Sequence, residues 1–111
     1  MNNSKENKRF NDYWANATKV KISGLHKLDN TPVRVVGRVQ ECQTHQSRNS
    51  QKMAFIVLKD LTGTIEVIVF PDAFAQYKHL LIIDQSIEVT GTAMTDEHGT
   101  KIITEFIRKA P

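Results

Sequence analysis

The sequence predicts a small all-β domain, a five-stranded closed barrel with one helix set between its third and fourth strands. Three observations carry that expectation. Lys52 to Asp72, KMAFIVLKDLTGTIEVIVFPD, holds two runs of alternating apolar residues around a tight turn. Val33 to Thr44 is a third alternating run, interrupted by Gly37. After a helix-spaced stretch, two more β-rich runs follow at Ser86–Met94 and Lys101–Ile107. Alternation with a period of two marks strands with one buried face, and β-branched residues suit a pleated surface.

Taken in order, residues 1–9 are polar and aperiodic and predict a disordered start. Phe10, Tyr13 and Trp14 share one side of a short helical turn, placed to cap an open end of the barrel. The alternative is that they stack a base or dock a second chain. Ile22, Leu25 and Leu28 recur every third residue, as in a helical turn lying on the barrel, and Asn30-Thr31-Pro32 is a turn signal. Residues 1–32 therefore form an extension and residues 33–111 the domain.

In the first strand Val33, Val35 and Val39 alternate with Arg34, Val36, Arg38 and Gln40, with Arg34 and Arg38 on the outward side. Gly37 marks the bend at which one strand serves both halves of a barrel. His45–Gln51 is a polar loop. In the hairpin, Ala54, Ile56, Leu58, Ile65, Val67 and Val69 point inward, leaving Phe55, Val57, Lys59, Thr64, Glu66 and Ile68 outside. Pro71 ends the third strand. Phe74, Tyr77, Leu80 and Leu81 give a helix from Asp72 to about Ile83, and Thr95–Thr100 joins the last two strands.

Length and composition narrow the function. At 111 residues with a net charge of +3, the chain is a single domain with a modest core. No apolar run approaches a membrane span, and MNNSKENKRF lacks a signal-peptide core, so a cytoplasmic protein without a membrane partner is expected. Cys42 is the sole cysteine, which excludes an internal disulfide and a thiolate zinc cluster. The four histidines are scattered, and no phosphate loop or nucleophile motif occurs. No catalytic residue, metal or cofactor is expected. The charge is uneven: residues 33–59 carry five basic side chains against one acidic, and residues 60–98 one basic against seven acidic. A one-sided basic field is the footprint of a polyanion binder.

The hairpin motif Met53-Ala54-Phe55, Leu58, Asp60, Gly63, Ile65-Glu66-Val67 and Val69-Phe70-Pro71-Asp72 resembles the OB-fold domain of the bacterial replicative DNA polymerase III alpha subunit. More widely it is similar to OB modules of the aspartyl-tRNA-synthetase type. The resemblance spans roughly Val33 to Ile107 and implies a Greek-key OB barrel. In such barrels the exposed face of strands 2 and 3, between the loops after strands 1 and 4, takes oligonucleotides. By the same resemblance an aromatic at Phe55 stacks a base and Glu66 contacts one. Around them the sequence places Lys59, the pair Arg34 and Arg38 on strand 1, His45, Arg48 and Lys52 at the first loop, and Lys101 at the rim of the second. Acidic Asp96 and Glu97 make that second loop a poor phosphate site.

The expected function is non-catalytic binding of single-stranded nucleic acid, DNA by the resemblance, near replication or repair proteins. Two alternatives stand beside it: a protein-interaction or homodimerising OB module, and an RNA- or tRNA-binding one.

Overall fold

A computed structural model describes Trp14 and residues 17–111. Phe10 and Tyr13, expected on the aromatic turn, lie outside the described residues, as does the polar start. Six strands are present: β1 (Thr18–Lys19), β2 (Thr31–Gln46), β3 (Lys52–Asp60), β4 (Gly63–Val69), β5 (Ser86–Asp96) and β6 (Gly99–Lys109). Helix α1 (Pro71–Tyr77) lies between β4 and β5. Hydrogen bonding runs β1-β2-β3-β4-β6-β5, and β5 pairs back onto β2, closing β2 to β6 into a five-stranded barrel. The β4–β6 contact is parallel, with Val67 opposite Ile102; the other pairings between barrel strands are antiparallel.

The interior is the inward set expected from alternation. Val33, Val35, Val39, Ala54, Ile56, Leu58, Val67, Val69, Ile87, Val89 and Ile102 are fully buried. The first strand bends as predicted, by two devices. At Gly37 a side chain would put Cβ 2.7 Å from Leu58 Cγ and 2.9 Å from the Lys59 carbonyl oxygen. Only a bare backbone passes there, and there β2 changes partner: Arg38 is paired with both Ser86 of β5 and Lys59 of β3. A bulge between Val39 and Glu41 then resets the register. From that point Glu41, Gln43 and His45 face outward, opposite Val57, Phe55 and Met53.

Several boundaries differ from expectation. β2 takes in Thr31 and Pro32, because its first half continues to pair with β5 out to Ala93. It also takes in His45 and Gln46, because its second half pairs out to Lys52. The expected six-residue loop between the last strands is a tight turn, with Asp96 opposite Gly99. The helix is shorter than predicted. It gives way to a 3-10 turn at Lys78–Leu80, where the Gln85 side-chain amide donates to the Leu80 carbonyl at 3.1 Å. Ile82 and Ile83 are left exposed.

The segment before the barrel is built into it. Ile22 and Leu25, on a 3-10 turn, join the core, with Leu25 only 1% exposed. They sit against the β3–β4 turn, where Asp60 Oδ2 accepts the Ile22 amide at 2.8 Å, at the start of β4. Helix α1 begins beyond the other end of that strand. Trp14 does not cap a barrel end. It packs edge-on against Phe106, with ring centroids 6.0 Å apart, on the outer side of β6. Among the described residues no helix is long and apolar enough to cross a membrane.

Candidate nucleic-acid interface

The outward residues of β3 and β4 lie in rows that run across the strands, because register fixes which side chains are neighbours. One row is uncharged: Gln43 of β2, Phe55 of β3, Ile68 of β4, Ile103 of β6 and Thr92 of β5. The next is mixed: Glu41, Val57, Glu66, Lys101 and Met94. Beyond it Arg38, Lys59 and Thr64 are adjacent.

Phe55 occupies the middle of this surface and is half-buried. His45, two residues along β2 from its partner Gln43, meets it edge-on with ring centroids 5.0 Å apart and planes at 80°. That edge contact, with Ile68 on the other side, restrains the ring. An aromatic so restrained loses little entropy when a flat ligand stacks on it.

The cations divide into groups. Lys59 and Arg38 face each other at the end of β3 away from the first loop. Arg38 also reaches Asp84 at 3.9 Å, an exposed pair that competes weakly for it. Lys101 lies beside Glu66 on the face itself and 3.9 Å from Asp96. Arg48 is exposed in the turn after β2. Lys52 lines a shallow pocket at the helix end with Pro71, Phe74 and Lys78.

Arg34 is not next to this face, which corrects the placement expected of it. It precedes the Gly37 bend, in the half of β2 paired with β5 and with β1, and its neighbour is Thr90. Its Nε donates to the Ala17 carbonyl at 3.2 Å. On that side Glu88 and Thr90 are buried although they point away from the barrel axis, and Glu88 binds Arg108 Nε at 2.7 Å.

Apart from Lys101, sequence reasoning missed what β5 and β6 supply to the surface, namely Thr92, Met94 and Ile103, and also Met53 and Gln43. The signal was present for Ile103, since it alternates with buried Ile102. The register that sets β6 beside β4 is a long-range fact. No group of three or more metal-ligating side chains occurs among the described residues. Burial raises the Cys42 thiol pKa, the opposite of what a reactive thiolate needs.

A closed barrel of this order, bent at its first strand, is an OB barrel, and its β3–β4 face carries an aromatic between basic margins. Residues 33–110 match the family model of the OB-fold nucleic acid binding domain, and the chain belongs to that family. It is similar to the DNA polymerase III subunit alpha of Borreliella burgdorferi, 31% identical over 73 residues and 66% of this chain. It is also similar to that of Saccharopolyspora erythraea, 25% identical over 79 residues and 71% of this chain. The match spans only 6% of either relative's length. Among solved structures, a domain of replication protein A from Methanococcus maripaludis has the same fold, with a TM-score of 0.68 at 18% identity, covering 83% of this chain and 94% of that one.

Proposed function

We propose that this OB domain binds single-stranded DNA without catalysis, laying the strand across β3 and β4 with one base stacked on Phe55. The observation that carries the reading is the position of Phe55: a half-buried ring, met edge-on by His45, in an uncharged row. Arg38 and Lys59 stand on one side of it and Arg48 and Lys52 on the other. Flat side chains that stack bases, flanked by cations that follow phosphates, are what sequence-tolerant single-strand binding requires. Glu41 and Glu66 oppose phosphates, so the backbone passes the cationic margins while bases lie over the neutral row. Affinity is therefore modest and salt-sensitive. We place the protein in the cytoplasm beside the replication machinery, on the strength of the polymerase similarity.

The test is an anisotropy titration of a labelled single-stranded oligonucleotide at two salt concentrations, repeated with the matched RNA. Binding at low salt that weakens on adding salt, with DNA at least equal to RNA, is the expected result. Absence of binding at low salt would overturn the reading and favour a protein-docking module. Tighter binding of RNA would transfer the site to RNA, since only contacts sensitive to the 2′-hydroxyl separate the two.

A further inference from the structure

We propose that Phe70 is a second base-stacking platform, which together with Phe55 makes the outer face a two-base site; this rests on the single-strand reading above. Phe70 is 46% exposed and is the one aromatic among the large apolar side chains left exposed in the described residues. Its place is fixed by the chain on both sides. Val69 before it is fully buried and paired with Ala54, so Phe70, in extended backbone (φ −68°, ψ 166°), continues the outward side of Ile68. Pro71 follows at the first position of α1, and the Phe70 carbonyl accepts the Phe74 amide at 2.8 Å. The backbone under the ring is thereby held by the strand and by the helix.

The spacing suits consecutive bases. Phe55 is the cross-strand partner of Ile68, and Phe70 is two residues past Ile68, just beyond the end of β4. Diagonal neighbours of this kind are roughly 7–8 Å apart, a span that one phosphodiester link bridges when its two bases are splayed. Ile68 borders both as an apolar neighbour, opposite Phe55 and two residues before Phe70. Beyond Phe70 a pocket lined by Pro71, Asp72, Phe74, Lys52 and Lys78 sets two lysines against one carboxylate where the strand would leave the sheet. The net positive charge of that pocket, next in the chain to an exposed ring, suits a polyanion with flat bases.

The experiment compares Phe70→Leu, Phe70→Trp and Phe55→Ala with the parent chain, using anisotropy of a short labelled oligothymidylate at low salt and thermal melts of each variant. Leucine keeps an apolar side chain and removes the π-face; tryptophan keeps the face. The expected result is a roughly 5- to 150-fold loss of affinity for Phe70→Leu, parent-like or tighter binding for Phe70→Trp, and unchanged melting for both. A parent oligonucleotide carrying 5-iodouracil should crosslink on irradiation to a peptide containing Phe70. If Phe55→Ala weakens binding while Phe70→Leu binds like the parent, the second platform is overturned and the single-strand reading stands. If the parent chain binds no oligonucleotide, both fall together. A lower melting point for Phe70→Leu with crosslinking confined to other peptides would make Phe70 a packing residue and overturn the inference.

Discussion

Single residues carry much of what can be tested. Arg34 and Arg38 are four apart on one strand and looked equivalent in sequence, yet the bend at Gly37 sends them to different sides of the barrel. Arg38→Ala with Lys59→Ala should flatten the dependence of oligonucleotide affinity on salt, since each lost phosphate contact removes about 0.7 from the slope for a single strand. Arg34→Ala should leave that slope at the parent value, and a slope as flat as that of the Arg38/Lys59 pair would return Arg34 to the phosphate path. Asp60 has a different task. Burial pushes its pKa up, but hydrogen bonds from the Ile22 amide, the Thr62 hydroxyl and amide and the Gly63 amide outweigh this and leave it below the ordinary aspartate value. A carboxylate with a depressed folded-state pKa contributes stability that is full above its unfolded pKa and lost as pH falls through the folded value. Acid denaturation followed by circular dichroism should therefore show a shallower acid limb for Asp60→Asn, and identical limbs would contradict the assignment. The Thr104 hydroxyl is buried with no hydrogen-bond partner. Thr104→Val should melt at or above the parent temperature, because removing an unsatisfied buried polar group at constant shape is neutral or stabilising.

At the scale of elements, the arm before the barrel is where sequence and structure part most. Leu25 and Ile22 help close the barrel beside the β3–β4 turn. Leu25→Ala should cost about 2–5 kcal/mol in a denaturant melt, the range for a buried leucine; a loss below about 0.5 kcal/mol would show the arm to be only loosely attached. The spacing of Ile22 and Leu25 in KISGLHKL pointed to a turn on the barrel, but not to the depth at which they are buried. Strand identity and facing were legible in Ala54, Ile56, Leu58, Ile65, Val67 and Val69, since alternation is a local property. Strand ends were not, because β2 extends to Thr31 and Gln46 only by pairing with residues distant in sequence. The same reason hid Ile103 and Thr92: their place beside Phe55 depends on β6 lying next to β4. The helix was overrun because Ile82 and Ile83 continue an apolar run that the fold leaves in solvent.

For the whole molecule, barrel closure turns one strand pattern into two different outer surfaces. One side of β2 and β5 carries Arg34 and the buried Glu88 and Thr90, beside the Trp14–Phe106 contact. The β3–β4 side stays open around Phe55, with cations at its margins and two carboxylates within it. In the proposed function this open side grips single strands by stacking. Phe55→Ala tests it most directly, with oligonucleotide affinity and thermal midpoint measured on the same preparation. The expected result is a roughly 5- to 150-fold loss of affinity with a midpoint close to the parent's. Unchanged affinity, or a loss fully matched by a collapse in stability, would contradict it.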